Sequence, residues 1–238
     1  LSNKEIRLAQ ISSNKANQWV LEKFFIHPID LAEDASVLDN ADKMSEELSL
    51  ALQKSKIATP NAAIAIPVTS AIIRVVTAPL MKDEELQKAI DTNSLWENLV
   101  QLTDNLDDYS IFHQVINRND KENTMDILFV ASKLSDVNTY SSIAKKAGLN
   151  PVIMDVRCFT LKNAYDNTKD KSITDKVNSA ILELGIDENY LMIIHNNIPR
   201  FTDVFLRPQE KQSLLEITSA QISTEAEAVI RRYAMQVK

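Results

Sequence analysis

Glycine is scarce in this sequence. Only two glycines occur among the 238 residues, Gly148 and Gly185, whereas average usage of about 7% would give roughly 17. Walker-type and dinucleotide-binding loops need several glycines, because backbone N–H groups must approach the phosphates closely. Neither GxxxxGK(S/T) nor GxGxxG can be found in the chain, so both kinds of nucleotide site are excluded.

Cysteine and uninterrupted apolar runs are scarce as well. The single cysteine, Cys158, cannot form a disulfide within the chain, and it fits a reducing cytoplasm as a small buried side chain. The most apolar run, residues 61–80, is interrupted by Pro67, Arg74 and Pro79, whereas a membrane-spanning helix needs ~18 unbroken apolar residues. We therefore expect no direct membrane insertion.

Positive charge does not cluster anywhere in the chain. The formal net charge is -7 and the pI is about 5.1, which argues against nucleic acid as a partner. With 45% hydrophobic residues, the chain can bury the core of one large domain or two small ones. It begins at Leu1, without methionine and next to a predicted strand, as expected of a fragment or a processed form.

What the sequence does contain is an alternation of strand and helix patterns, which predicts an α/β fold. The predicted strands are 4–12, 17–26, 62–66, 71–78, 108–118, 124–132, 151–159, 180–184, 190–196 and 200–206. The predicted helices are 40–55, 81–102, 135–148 and 222–237. The polar stretch 166–176 predicts a linker.

One predicted hairpin, ILELGIDENYLMII at 181–194, combines two apolar strands with a glycine and a polar turn. Gly185 is expected to let this hairpin turn tightly. The carboxylates of Glu183, Asp187 and Glu188 would repel a phosphate unless a divalent cation lay between them. Two interpretations stay open, a structural hairpin and a metal-assisted contact with a nucleotide.

The remaining candidate chemistry is sparse. His27, His113 and His195 lie far apart and lack a ligand spacing such as HxxxH, so structural roles are expected. No serine lies in a GxSxG context, and the paired carboxylates fit helix starts and turns. No catalytic residue and no metal site is predicted from these residues.

Two long segments of the chain resemble the PilM family of type IV pilus assembly proteins. In residues 62–90, an apolar strand ends at Pro67 and a second strand ends in a proline-containing turn before an acidic helix. Residues 126–165 are similar to the family's strand, helix, AGL-x-P turn and strand-to-helix passage. The stretch 181–206 then looks like the second phosphate hairpin of an actin-like fold.

The resemblance implies an actin-like (ribonuclease H-like) two-lobe α/β fold, of the group that holds PilM and FtsA. Residues 1–81 and 151–165 would form the first lobe, and residues 82–150 an inserted α-β-β-α subdomain. Residues 166–238 would form the start of a second lobe, which is expected to be incomplete.

The resemblance also implies where a nucleotide would bind. The family's first phosphate turn corresponds to Ser2, Asn3 and Lys4, without the family's glycine and acidic residue. Its second turn, Asp-Ile-Gly, corresponds to Glu183-Leu184-Gly185, followed by Asp187. No counterpart of the glycine-rich adenosine turn is present. ATP with Mg²⁺ stays open as a cofactor, and enzymatic hydrolysis is not expected.

By resemblance, the protein would be a cytoplasmic scaffold located at the inner membrane through its partners. It would bind the cytoplasmic tail of a bitopic assembly protein of the PilN kind, and self-association stays open. One alternative is the cytoplasmic domain of a type II secretion protein of the GspL kind. Another is a truncated actin-like ATPase or sugar-kinase relative.

A groove is expected where the inserted subdomain leans on the first lobe, beside the strand 71–78. Ile72, Arg74 and Val76 share one face of that strand, and we expect them to line the groove and bind the partner peptide. The alternative is that both faces of the strand belong to the core, because β-branched strands in α/β folds are usually covered on both sides.

Overall fold

The computed structural model describes residues 1–15, 18–32, 35–100, 102, 105–168, 178–185, 188–204 and 219–236. Its strands are β1 Glu5–Ser13, β2 Trp19–Pro28, β3 Asn61–Ile66, β4 Ile72–Pro79, β5 Tyr109–Asn119, β6 Thr124–Lys133, β7 Asn150–Val156, β8 Ser179–Leu184, β9 Asn189–His195 and β10 Ile198–Val204. Its helices are α1 Ala41–Ser55, α2 Asp83–Asp91, α3 Ser94–Leu99, α4 Leu134–Lys146, α5 Arg157–Thr168 and α6 Ser219–Gln236. The mixed α/β composition expected from the sequence is confirmed.

Within these residues the strands pair into four small sheets. β1 and β2 form an antiparallel pair, and β3 and β7 form a parallel pair. Two three-stranded antiparallel sheets have the orders β4-β6-β5 and β10-β9-β8. The parallel pair needs a crossover between its strands, and the chain between β3 and β7 includes the β4-β6-β5 sheet.

The central strand β6 is enclosed on both faces. One face contributes Met125, Ile127, Phe129 and Ala131 to a core that also contains α2 and α3 residues such as Trp96. The opposite face contributes Leu128 and Val130 to a second core with residues from β3, β7, α5 and β9. The sheet β4-β6-β5 therefore separates two apolar layers.

The sheet that contains β4 joins strands from two of the units expected from the sequence. β4 pairs along its length with β6, from Ile72 opposite Ala131 to Pro79 opposite Thr124, and β6 is the central strand of the β4-β6-β5 sheet. The physical reason is that an apolar strand such as β6 is stabilised most where both its faces are covered. The division into lobes stays a prediction, but this sheet crosses its boundary at residue 81.

Two predicted elements are also divided differently. The helix expected over 81–102 is two helices, because Asn93 between α2 and α3 has a φ of 57° and interrupts the right-handed helical path. The strand expected over 151–159 ends at Val156, and α5 begins at the next residue. Local apolar patterns alone do not show where one helix breaks into two or where a strand gives way to a helix.

The hairpin β1–β2 is enclosed on one face only. Ile6 at its inner face packs with Met44 and Leu48 of α1 and Ile143 of α4. Its other face leaves large apolar side chains exposed, including Phe24 at 59% and Leu21 at 61%. The hairpin therefore packs on α1 and α4 through one face only.

Left-handed backbone positions are mostly occupied by asparagine. Five non-glycine residues of the described chain have positive φ: Lys56, Asn93, Asn123, Asn196 and Asn197. Asn196 and Asn197 form the two-residue turn between β9 and β10, where a type I′ geometry needs positive φ at both positions. Asparagine tolerates this region better than most residues, so it takes the positions that glycine often fills.

None of the helices among the described residues has the length and apolar character needed to cross a membrane.

Candidate functional site

The turn of the β8–β9 hairpin requires glycine because of a close approach. A Cβ atom at Gly185 would lie 2.9 Å from the backbone oxygen of Glu188, which is nearer than such contacts ever come. The Gly185 N–H donates to that same oxygen at 3.2 Å. Any side chain at this position would therefore push the two strands apart. Asp187, one of the predicted nucleotide contacts, lies outside the described residues.

Glu188 anchors this hairpin to the turn that follows β3. The residue as a whole is 5% exposed, and its carboxylate accepts a hydrogen bond from the Val68 N–H at 2.8 Å. A guanidinium nitrogen of Arg157 lies 3.2 Å from the other carboxylate oxygen. The carboxylate is directed into the protein, where it balances the positive charge of Arg157 and accepts the hydrogen bond of the Val68 N–H. This is the kind of contact that the structural interpretation of the hairpin requires.

The predicted first phosphate turn is held by its serine. Ser2 is 7% exposed, its hydroxyl accepts from the Glu5 N–H at 2.9 Å, and its own N–H donates to the Glu5 carbonyl at 3.0 Å. The hydroxyl also accepts from the Lys4 N–H at 3.2 Å. Ser2 thus closes a tight turn that leads into β1.

Three of the six predicted nucleotide contacts do meet in one space. Ser2, Glu183 and Gly185 line a cavity of about 370 Å³ between β1 and β3, which we call the β1–β3 cavity. Asn3 and Lys4 are not among its lining residues. The cavity also has Glu5, Arg7 and Arg157 in its wall, so its charges are mixed rather than suited to a polyphosphate.

A larger groove lies between the β4-β6-β5 sheet and the layer of β7 and α5. Its volume is about 620 Å³, and we call it the seam groove. Its lining includes Phe112, Val130, Ile153, Phe159, Lys162 and Ile198. Phe112 is 60% exposed and Ile153 59%. β5 and β7 each bond to a single neighbouring strand among the described residues, so each has one open edge, and residues of both strands line the groove.

The seam groove has a polar group at its α5 wall. Lys162 is 6% exposed, and its ammonium group donates to Asn197 at 3.2 Å and to Asp166. A buried lysine is tolerated when it is paired in this way. Because Asn197 belongs to the β9–β10 turn, this contact links that turn to α5. Sequence reasoning missed Lys162 and Phe112, since no local pattern marks residues that only tertiary packing brings together.

The predicted partner-binding residues are placed elsewhere. Ile72 and Val76 pack in the core that contains Trp96, and Arg74 between them is exposed. None of the three lines the seam groove, which lies on the opposite face of the sheet, where Leu128 and Val130 are found. No observation tests their role in partner binding.

Burial keeps two titratable side chains near Glu188, the Cys158 thiol and the Tyr190 phenol, in their neutral forms. Burial raises the pKa of the Cys158 thiol to about 12, and the side chain is fully buried, so the expectation of a small buried residue is confirmed. Burial also raises the pKa of Tyr190.

His27, expected to be structural, is buried with its Nε2 atom 2.7 Å from Glu47. In the described residues there is no group of three His, Cys, Asp or Glu side chains arranged to hold a metal ion.

One solved structure agrees with the fold expected from the sequence. The PilM-PilN type IV pilus biogenesis complex contains a chain that this protein matches with a TM-score of 0.66 and 14% identity, over 100% of this chain and 72% of that one. The cytoplasmic domain of EpsL, an inner-membrane component of the type II secretion system of Vibrio cholerae, matches with a TM-score of 0.47 and 11% identity, over 86% of this chain and 67% of that one. No curated protein sequence matches significantly.

The sequence also matches the model of one protein family. The profile described as type IV pilus assembly protein PilM matches residues 1–211, which is most of the chain. With the structural match to the PilM-PilN complex, this confirms both the resemblance and the actin-like α/β fold class. The chain belongs to the PilM family of type IV pilus assembly proteins.

Proposed function

We propose that this protein is a non-enzymatic scaffold of type IV pilus assembly that holds an extended tail of a PilN-like protein in the seam groove. Family membership supports the role in pilus assembly. The name of the PilM-PilN complex supports the kind of partner. Through a bitopic partner of this kind, the scaffold would lie on the cytoplasmic side of the inner membrane.

The observation that carries this proposal is the combination of open strand edges and apolar side chains in one groove. An extended peptide can add main-chain hydrogen bonds to the edge of β5 or β7, while its alternate side chains enter apolar pockets. Phe112 and Ile153 supply exposed apolar surface on the two sides of the groove. Large aromatic residues in such positions often contribute most to binding.

The first experiment replaces the exposed aromatic residue of the groove. We expect Phe112→Glu to weaken binding of the cognate PilN-like tail peptide at least about tenfold, because a carboxylate would be desolvated against an apolar peptide. Isothermal titration calorimetry with the synthetic tail measures the affinity. Phe112 is 60% exposed, so the variant should fold.

Met235→Glu is the matched control, because Met235 is 72% exposed on α6 and lies outside the groove lining. It should leave the affinity unchanged. Unchanged binding by a folded Phe112→Glu variant would reject the seam groove as the site. Equal weakening by both variants would show that added negative charge, rather than the groove, determines the affinity.

The absence of hydrolysis is part of the same proposal, and the hairpin supports it. Glu188 directs its carboxylate to Arg157 and the Val68 N–H, which removes two donors from any phosphate. Glu5 and Glu183 in the wall of the β1–β3 cavity add like charge. Hydrolysis needs donors preorganised at the phosphates. A steady ATP turnover of a few per minute by the purified chain, lost in Gly185→Val, would contradict the scaffold proposal.

A further inference from the structure

The seam groove is apolar along most of its lining and contains one charge that its surroundings leave unbalanced. Among its described lining residues, only Asp155 and Lys162 are charged. The ammonium group of Lys162 is paired with Asp166. The next cation along the chain, Arg157, is paired with Glu188. The lining of the groove is therefore left with the negative charge of Asp155.

Asp155 is held in place by one of its two carboxylate oxygens. The residue lies at the end of β7, two positions before α5 begins, and is half-buried. Its Oδ1 atom accepts a hydrogen bond from the Val156 N–H at 2.7 Å. The Oδ2 atom has no hydrogen-bond or ion-pair partner among the residues that the structure describes. This second oxygen can therefore accept from a group that enters the groove.

β7 borders the groove with its edge. Four consecutive residues of this strand, 153–156, line the groove. β5 instead contributes every second residue: Ser110, Phe112, Gln114 and Ile116. Alternate residues share one face of a strand, whereas consecutive residues border one space along an edge. An extended segment that pairs with β7 therefore passes beside Asp155.

A cytoplasmic tail supplies the charge that this position lacks. Cytoplasmic segments close to a membrane-spanning helix carry an excess of lysine and arginine. A cation that enters an apolar groove loses water and needs a carboxylate partner in compensation. The net charge of -7 attracts such a tail from a distance, and among the described lining residues Asp155 is the carboxylate that can receive it.

We propose that Asp155 determines the specificity of the seam groove by binding a lysine or arginine side chain of the tail, an inference that rests on the function proposed above. The basic side chain donates to Oδ2 while the backbone of the tail pairs with the edge of β7. Phe112 and Ile153 contact the apolar side chains of the tail and supply most of the affinity. Asp155 supplies the selection, because a neutral or acidic residue at this point leaves the carboxylate unpaired or beside a like charge.

The test compares Asp155→Asn with the unmodified protein. Asparagine keeps the size of the side chain and an oxygen for the Val156 N–H, and it removes the charge. Isothermal titration calorimetry measures the affinity for the cognate tail peptide, acetylated at its amino end. We expect binding to weaken about tenfold at about 50 mM salt and less than about threefold at about 500 mM salt, because ions screen the attraction that is lost.

A double-mutant cycle identifies the residue of the tail. Each lysine or arginine of the peptide is replaced by glutamine in turn. One of these replacements should weaken binding to the unmodified protein about tenfold and change binding to Asp155→Asn less than about twofold, since the pair is already broken. Asp155 could instead act only as a cap of α5. The variant would then weaken all peptides equally and show no such coupling, which would overturn the proposal.

Asp136→Asn is the matched control for the loss of one negative charge. Asp136 lies in the first turn of α4, next to the groove residue Val137 but outside the lining. The control should leave the affinity within about twofold at both salt concentrations. Equal weakening by Asp136→Asn and Asp155→Asn would overturn the proposal, because the total charge of the protein would then attract the tail.

Two further results would also overturn the proposal. One is unchanged affinity of folded Asp155→Asn at the low salt concentration. The other is a gain in affinity for the unacetylated peptide that Asp155→Asn removes, which would assign the carboxylate to the amino terminus of the tail. If Phe112→Glu still weakens binding in either case, the groove remains the site of the tail and the role of Asp155 alone is rejected.

Discussion

β6 and β2 have similar compositions and opposite surroundings. The sequence TMDILFVASK of β6 is buried at seven of its ten positions, whereas WVLEKFFIHP of β2 is buried only at His27. β6 lies between two apolar layers, and β2 has one layer beneath it and none on its outer face. Apolar composition therefore marks both strands, but the neighbouring layers decide which one forms the core.

The largest expected effect contrasts a phenylalanine from each strand. Phe129 of β6 is fully buried and Phe24 of β2 is 59% exposed. We expect Phe129→Ala to lower the free energy of unfolding by about 3–5 kcal/mol, because it leaves a cavity against Trp96. Phe24→Ala should cost less than about 1 kcal/mol. Chemical denaturation measures both. Equal losses would mean that the outer face of β2 is covered in solution.

The second contrast applies the same idea to charged pairs. Arg157 and Glu188 have side chains that are 20% and 3% exposed, whereas Arg231 and Glu227 on α6 are 75% and 62% exposed. Glu188→Gln should cost about 2–4 kcal/mol, since Arg157 loses its compensating charge in a largely buried place. Glu227→Gln should cost under about 0.5 kcal/mol. A Glu188→Gln variant as stable as the unmodified chain would show that the Arg157–Glu188 pair does not hold the hairpin in place.

The third contrast is the response to acid. Burial acts to raise the pKa of Asp126, but hydrogen bonds from Arg200, Thr77 and Asn117 outweigh it, so the pKa is lowered. The stability from a lowered carboxyl pKa is present above the unfolded value of about 3.9 and is lost as the pH falls through the folded pKa. Asp126→Asn should therefore flatten the loss of stability below about pH 4, measured as thermal midpoints against pH.

Asp42 provides the exposed comparison for this acid response. A hydrogen bond from Lys146 lowers the pKa of Asp42, but its side chain is 86% exposed, so salt screens the pair. Asp42→Asn should change the pH dependence less than Asp126→Asn at physiological ionic strength. The reverse order would show that exposure does not set the size of these effects.

The smallest effect is expected at Arg74, which is exposed on β4 between the half-buried Ile73 and Val75. Arg74→Ala should change the free energy of unfolding by no more than about 0.5 kcal/mol. We expect it to weaken binding of the PilN-like peptide less than Phe112→Glu does, because Arg74 does not line the seam groove. A weakening as large as that of Phe112→Glu would return the partner site to the face originally predicted from the sequence.

Local patterns predicted the elements well where one face of a helix or strand was apolar. α1 and α4 were found close to their expected positions, because their apolar residues recur at helical spacing. The break at Asn93 was missed, since it depends on one backbone angle. The start of α5 at Arg157 was missed because strand and helix share the same apolar run.

The candidate sites were harder to predict because they depend on distant pairings. β4 bonds to β6 across about fifty residues, and the groove follows from that pairing. The sequence left both a structural hairpin and a metal-assisted nucleotide contact open for Glu188, because its partners Arg157 and Val68 lie far away in sequence. Ser2 and Gly185 line one cavity although they lie far apart in the sequence, and local periodicity carries no such long-range information.

The use of asparagine at left-handed turns has a consequence for the unfolded chain. Glycine has more backbone conformations to lose on folding than any other residue. A chain with two glycines and asparagines at 93, 123, 196 and 197 therefore begins folding from a smaller ensemble, at the expense of some local strain in each turn. Part of the stability of this protein lies in the conformations that its unfolded state cannot reach.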